Sequence, residues 1–258
     1  MNRSDFPNHF PNLPDSLQKV QHFFASNEFD TQKLVTLLEK DPLMCANILR
    51  LVNSAAYGGK NKIVSLTQAI TRLGFTITRG VIMETFVQKS FPIQLDIYGI
   101  DLSIFDAINQ TRVQLLKNCF YDSKLDMQML QSVVFLLESS KLVSAYLLSK
   151  MGQMDRFRAL LKEKGAKKAE EEIFGIDGYK IGAMLFSTWG FEANFIELMQ
   201  KLYTPQNKEG QILFILTVAA DITGILQAKN KEQIALVCER YKLDWAKISE
   251  CMEKFELV

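Results

Sequence analysis

The sequence predicts an all-α protein, and three observations carry that expectation. Apolar residues recur at three- and four-residue spacing along nearly the whole chain. Glycine and proline are scarce, 13 and 6 in 258 residues, too few for the turns of a β-rich chain. Helix start signals, an Asp or Ser directly before a periodic apolar run, recur along it.

Leu13, Leu17, Val20 and Phe24 make one stripe on a helix beginning near Pro14. Asp30 can cap a second helix with Leu34, Leu37 and Leu38 inside. Asp41-Pro42 starts a third, because Asp accepts from the free N–H groups and Pro fits the first turn. This helix carries Cys45, Ile48, Leu49 and Val52 and should end near Asn53-Ser54, before Gly58-Gly59. Ser65 and Gln68 have capping-box spacing, Leu66, Ala69, Ile70 and Leu73 follow, and Gly74 reads as a C-cap. A helix over about 76–88 comes next. Phe91-Pro92 breaks it, and the stretch to Asp101 is the candidate hinge. The expected organisation is a tail over 1–12, an N-terminal helical lobe over 13–95 and a C-terminal lobe over 96–258.

The second lobe also reads as helical. Ile104, Ile108, Leu115 and Phe120 fit one long helix. Met127, Leu130, Val134, Leu137, Ala145 and Leu148 form a stripe on the next, with a second stripe at Val133, Leu136, Val143 and Leu147. A helix apolar on two sides belongs in the centre. Further helices fit 155–164, 167–174, 179–189, 193–202, 211–227, 231–241 and 244–255.

Composition excludes several functions. Hydrophobic residues make up 48% and charged residues 23%, enough apolar surface for a folded core. The charge balance, 30 basic against 29 acidic residues, argues against a dedicated nucleic-acid binder, which needs excess positive charge to release counterions. Both histidines, His9 and His22, lie at the start, so no His-based metal site or dyad can be built in the rest. The four cysteines never reach CxxC spacing and read as reduced thiols of a cytoplasmic protein, not as zinc ligands or a disulfide frame. The N-terminus has no apolar run of a signal peptide. The longest apolar stretch, Ile212 to Leu226, carries Asp221 and falls short of the ~20 apolar residues a membrane span needs. A soluble, cytoplasmic protein without membrane contact is expected.

Asp41 to Met83, DPLMCANILRLVNSAAYGGKNKIVSLTQAITRLGFTITRGVIM, resembles the HDOD domain family through Asp41-Pro42, Leu49-Arg50, Asn53-Ser54-Ala55, Tyr57-Gly58, Ile63, Ser65, Ala69-Ile70 and Leu73-Gly74. The resemblance continues through VVFLLESSKLV (133–143), FGIDGYKIGAMLFSTWG (174–190), QKLYTP (200–205) and VAAD (218–221), and so spans roughly 13–225. It implies a multi-helical HD-like fold of two lobes, related to metal-dependent phosphohydrolases and HD-GYP phosphodiesterases. In those enzymes histidines and aspartates hold metal ions that polarise phosphate and activate water. HDOD proteins as a group are viewed mainly as regulatory modules of signalling.

The departures from the enzymes' pattern set the functional expectation. Leu137 stands at the metal-binding His and Glu138 at the Asp; the later Asp-His is Asp177-Gly178; the histidine run before Pro is Lys201-Leu202-Tyr203. The upstream His would fall near Ala107 to Asn109, where there is none. Only Asp221 matches a ligand position outright. Leucine cannot replace imidazole in a transition-metal shell. No catalytic residue, metal or cofactor is therefore expected.

Glu138, Lys141, Asp177 and Asp221 are the candidate remnant pocket. The simpler reading is that Glu138 and Asp221 are buried and satisfied structurally, with Lys141 at i,i+3 as the partner of Glu138. Asp41, Asn53, Ser54, Tyr57 and Gly58 are a candidate recognition surface. Their simpler reading is a helix C-terminus with side chains bonded to freed carbonyls. Arg50, Lys60, Lys62, Arg72 and Arg79 make this lobe locally basic, as solvated charge. Lys162, Lys164, Lys167 and Lys168, followed by Glu170, Glu171 and Glu172, read as an exposed salt-bridged face.

The expectation is a non-catalytic, stand-alone module of a bacterial cytoplasm, acting on signalling or regulatory proteins. Two alternatives stand beside it. One is a nucleotide or cyclic-dinucleotide sensor, with Lys141, Lys201 and Arg112 supplying positive charge. The other is a residual hydrolase holding magnesium on Glu138, Asp177 and Asp221.

Overall fold

The computed structural model describes residues 2–13, 15–26, 30–54, 57–59, 61–91, 95–122 and 124–256; Pro14, Ala55, Lys60 and Pro92, named above, lie outside the described residues. The described chain is all-α. Its helices are α1 (Asp15–Ala25), α2 (Thr31–Leu38), α3 (Pro42–Val52), α4 (Leu66–Ser90), α5 (Leu102–Cys119), α6 (Met127–Leu136), α7 (Ser139–Lys150), α8 (Met154–Lys164), α9 (Ala166–Phe174), α10 (Gly178–Thr188), α11 (Ala193–Gln200), α12 (Lys208–Ala219), α13 (Ala228–Tyr241) and α14 (Trp245–Glu256). Two 3-10 turns, Arg3–His9 and Leu95–Tyr98, and a two-residue antiparallel ladder of β1 (Ala220–Asp221) and β2 (Gly224–Ile225) complete it.

The caps explain most helix starts. Asp30 accepts from the Gln32 and Lys33 N–H groups, and Asp41 accepts from Met44 N–H with Pro42 in the first turn. Asp101, Asp126 and Asn207 do the same for α5, α6 and α12. Each such cap contributes about 1 kcal/mol. Ser65 precedes α4 but makes no side-chain cap bond, so the Ser65–Gln68 box does not form. Gly74 interrupts α4 with φ +78°, a conformation that favours glycine, and so separates the two helical runs there as its spacing suggests.

The periodicity overruns in two places. The run from Met127 to Lys150 is two helices, not one: it tightens at Leu137 and Glu138, where Ser140 and Lys141 N–H groups bond to carbonyls three residues back. The helix expected over 211–227 stops at Ala219, because Asp221 accepts from both Thr223 N–H and Thr223 Oγ1–H and folds the chain into the β1–β2 turn.

Residues 2–12, set apart as a tail, pack onto the body. Phe6 is buried edge-on against Phe174, and Trp189 Nε1–H donates to Pro11 C=O. One apolar core runs through both proposed lobes. Helix α4 packs on α3 and on α6, and at Gly80 a Cβ would lie 3.0 Å from the Phe135 ring. Helix α7 packs on α10 and is buried on all sides from Ser139 to Ala145. Among the described residues only the α6–α7 run is long and apolar enough to cross a membrane, and 83% of that stretch is buried in the core.

The cysteine reading needs correction. Cys119 of α5 is disulfide-bonded to Cys251 of α14, 132 residues away, and the bond straps the C-terminal helix across α5. Only Cys45 and Cys238 are free.

Where α4 faces α5, burial pushes the Glu84 carboxyl up to about 8. Asp106 adds repulsion, while Asn109, whose Nδ2–H donates to Glu84 Oε1, and Arg50 partly offset it. Between the ordinary value of 4.5 and about 8, the folded chain holds a proton that the unfolded chain has lost. Stability therefore falls as pH rises through that window, by at most about 1.4 kcal/mol per unit. Glu84→Gln is expected to flatten this slope and to be more stable than the wild type at the alkaline end. Urea unfolding across the window checks it; an unchanged slope in the variant would refute it.

Candidate functional site

The Leu137–Glu138 break opens onto a buried cluster of four charges. Arg112, on α5, is fully buried, with Nη1 2.7 Å from Glu138 Oε1 and Nε–H donating to Ala220 C=O at 2.8 Å. Tyr179 O–H, from the first turn of α10, donates to the same Glu138 oxygen at 3.0 Å. Lys141, in the first turn of α7, reaches Glu170 of α9 at 2.8 Å. Tyr98 O–H and the Gly178 N–H also donate to Glu170, at 2.9 and 2.6 Å. The Lys141 ammonium lies 5.1 Å from the centres of both the Tyr98 and Tyr179 rings.

Two cations and two carboxylates make the cluster neutral. Burial opposes the Glu138 charge, but Arg112 and Lys141 outweigh it and hold the carboxyl below its usual range. Burial likewise opposes the Arg112 and Lys141 charges, and the facing carboxylates outweigh it and raise both. Burial pushes both Tyr98 and Tyr179 well above the usual phenol range, with the carboxylates beside them adding to it.

The partners differ from those expected. Glu138 pairs with Arg112 rather than Lys141, because the chain tightens at Glu138 and α5 lies alongside. Glu170, read as part of an exposed acidic run, is fully buried. The signal was present: Glu170 stands four residues before Phe174, on the face that enters the core. Glu171 and Glu172 do stay outside, paired with Lys167 and Lys164.

Glu138, Lys141 and Asp221 line one cleft of about 400 Å³, together with Tyr179, Tyr203 and Lys164, Lys167, Lys168 and Lys229. Asp177 is not among its lining residues. It caps α10 through Lys180 N–H and pairs with Lys180 Nζ at 2.8 Å. Arg112 lies behind Glu138, outside the lining, and Lys201 pairs instead with Glu197 and Gln206.

The residues do not fit the metal site that the resemblance to metal-dependent phosphohydrolases implies. Leu137 is core. At Gly178, where those enzymes have a histidine, an added Cβ would lie 2.7 Å from Glu170 Oε1, so the carboxylate fills that space. The Arg112 cation already faces Glu138. Each of Glu138, Asp177 and Asp221 is committed to a different partner, and among the described residues no three His, Cys, Asp or Glu stand together as a metal site.

The residues of the motif surface brace the chain after α3 and stay half-buried, with Gly58 exposed. Asn53 Nδ2–H donates to the carbonyls of Leu49 and Ile63, and Asn53 Oδ1 accepts from Ile63 N–H, all at 2.8 Å. Ser54 Oγ–H donates to Leu51 C=O. Gly58 N–H approaches Ser54 C=O to 2.6 Å, and a Cβ at Gly58 would lie 2.7 Å from that oxygen. The Tyr57 hydroxyl is buried, with Lys117 over its ring at 4.3 Å. Arg72 donates to the carbonyls of Tyr57 and Gly58, and Asp41 pairs with Lys89. Asn53→Ala removes three bonds at once and is expected to lower stability by about 2 kcal/mol in chemical denaturation. A loss within about 0.5 kcal/mol, the usual range for surface changes, would refute the brace.

The helix order recurs elsewhere. Residues 10–107 match the family model of the HDOD domain. Over those residues the chain is similar to the HDOD domain. A 64-residue stretch is 28% identical to an uncharacterized protein of Treponema pallidum (strain Nichols), covering 25% of this chain but only 12% of that protein's length. Over 98% of its length the chain superposes on a candidate phosphohydrolase from Shewanella amazonensis SB2B, with TM-score 0.74, 19% identity and 93% of that chain covered. It superposes equally fully on a candidate signal transduction protein from Marinobacter aquaeolei VT8, with TM-score 0.69, 19% identity and 58% of that chain covered. At these identities the superpositions show the fold: the HDOD match ends at 107, while the shared helical frame runs over 98% of the chain.

Proposed function

We propose that this HDOD protein is a non-catalytic regulatory module of bacterial signal transduction, working in the cytoplasm through contacts with other proteins and not with nucleic acid or membrane. The observation that carries the reading is the Arg112–Glu138 pair. Where related enzymes set a divalent cation against a carboxylate, this chain sets a guanidinium, which offers no vacant coordination position and cannot acidify a water. The neighbouring ligand positions are a leucine, a glycine backed by Glu170, and the Leu202–Tyr203 step, with Leu202 in the core. The fold shared with a candidate signal transduction protein supports the same direction.

The test has two arms. The purified protein, offered manganese, iron or magnesium, is expected to hold no stoichiometric metal by elemental analysis and to leave mononucleotide and cyclic-dinucleotide phosphodiesters intact. Stoichiometric metal with turnover would overturn the reading. Affinity capture from the native cell, repeated in reverse with each captured protein as bait, is expected to return a signalling or regulatory protein. Reciprocal capture of nucleic acid alone would count against it.

A further inference from the structure

We infer that the Cys119–Cys251 disulfide is a thiol-redox switch, which docks α14 when oxidised and releases it when reduced. The inference rests on the cytoplasmic part of the reading above and adds a regulated state to it. Where glutathione keeps thiols reduced, a disulfide is transient, and either catalytic or redox-sensing. A separation of 132 residues is not the Cys-x-x-Cys spacing of a disulfide oxidoreductase, which leaves sensing.

The bond sits where it can control one element. Its anchor on α5 is fixed: Val113, Leu115 and Leu116 are buried, and Arg112, two turns before Cys119, is held by Glu138 and the Ala220 carbonyl. The α14 side is held lightly. Among its described side chains only Ile248 and Met252 are buried, whereas α12, of the same length, buries Ile212, Leu213, Ile215, Leu216 and Ala219. Helix α14 packs on α5 and α13, and a cross-link closing so long a loop removes much of the freedom that the helix gains by leaving. Undocking uncovers the apolar ground beneath Ile248 and Met252, so the two redox forms present different surfaces to other proteins.

Both sulfurs are within reach of a thiol, since Cys119 and Cys251 are half-buried. Burial raises the two remaining thiols, Cys45 and Cys238, the latter to about 11, so neither competes as a thiolate near neutral pH. The step is thiol–disulfide exchange. A glutathione thiolate attacks one of the two sulfurs, breaks the S–S bond and forms a mixed disulfide, and a second glutathione displaces the protein thiol. Two electrons and two protons pass from two glutathiones to Cys119 and Cys251, with glutathione disulfide as the product. The reverse reaction re-forms the strap.

The test is hydrogen–deuterium exchange of the full chain equilibrated in glutathione buffers, with alkylation and mass spectrometry to count the bond. At a cytosolic ratio of glutathione to its disulfide the bond should be mostly open, and in glutathione disulfide alone it should be closed. Opening should speed exchange of the α14 amides about tenfold or more, leave α7 and α12 protected, and lower Tm by roughly 5–15 °C. Cys119→Ala/Cys251→Ala should show fast α14 exchange in both buffers, and Cys45→Ala/Cys238→Ala should keep the full difference. A bond that stays closed in the reducing buffer, one that fails to close in the oxidising buffer, or α14 exchange equal in the two states would each overturn the switch. Elemental analysis and turnover assays on the Cys119→Ala/Cys251→Ala protein separate the two readings. Stoichiometric metal with turnover there would overturn the non-catalytic function and leave the switch standing, and failure of the switch leaves that function standing.

Discussion

Arg112→Ala is expected to be the most damaging single change in the protein, with a loss of about 3–5 kcal/mol. That is a large share of the 5–15 kcal/mol by which domains are stable, so partial unfolding at room temperature is the expected appearance. The loss is this large because Glu138 is 1% exposed and, among the described residues, its only cation within 4 Å is Arg112. Once unpaired, Glu138 must stay charged in the interior, take up a proton, or drag the α6–α7 junction toward water. The Ala220 carbonyl loses its donor as well, which loosens the β1–β2 turn. A triple variant, Arg112→Met/Glu138→Leu/Tyr179→Phe, removes both charges and the hydroxyl that served them, and should recover most of the loss. It should also lose acid sensitivity. Glu138 is held below its usual range, so its contribution is present above the unfolded carboxyl's pKa and disappears as pH falls through the lowered one. Guanidinium unfolding of the three proteins near neutral and mildly acidic pH reads all of this. An Arg112→Ala protein as stable as wild type would refute the pairing.

How far the sequence shows these features depends on whether the interaction is local. Helix existence was legible because each amphipathic face carries its period within one segment, and Asp30 and Asp41 act on N–H groups two or three residues away. The run from Met127 to Lys150 misled because no residue type at Leu137–Glu138 breaks a helix, although the chain tightens there. The over-extended helix at 211–227 was readable in principle, since Asp221, Thr223 and Gly224 are turn chemistry, but Ile222, Ile225 and Leu226 carried the apolar pattern past it. The Cys119–Cys251 bond has no local signature. The candidate pocket was legible by resemblance for Glu138, Lys141 and Asp221, which do line one cleft. Its chemistry was not, because Arg112 comes from α5 and Glu170 from a lysine–glutamate run that looks solvated. A helical i,i+3 rule sees only one helix, and it paired Glu138 with the lysine that Glu170 holds.

Glu170→Ala is the second large expectation, again about 3–5 kcal/mol, and for a different reason. Its removal strands three donors together: the Lys141 ammonium, the Tyr98 hydroxyl and the Gly178 N–H. Of these the ammonium decides the size. Lys141 is 4% exposed, and Glu170 is the largest influence raising its pKa against burial. Without Glu170, burial becomes the stronger force and the lysine should become deprotonated well below its usual range. The variant's stability should then fall as pH drops from mildly alkaline to neutral, because the unfolded chain takes up a proton that buried Lys141 refuses. The wild type has no such slope from this residue: its Lys141 pKa is raised, so that contribution is complete below the unfolded lysine pKa and lost only in strong alkali. Glu170→Gln keeps the volume and one acceptor for Tyr98 or Gly178 but not the charge, so it should show the same alkaline slope with a smaller loss. Lys141→Met in the Glu170→Ala background should abolish the slope. Urea midpoints of these variants between about pH 7 and 9.5 carry the test. A flat profile in Glu170→Ala would mean that water reaches Lys141, and would remove the claim that α7, α9 and α10 are joined through a dry ion pair.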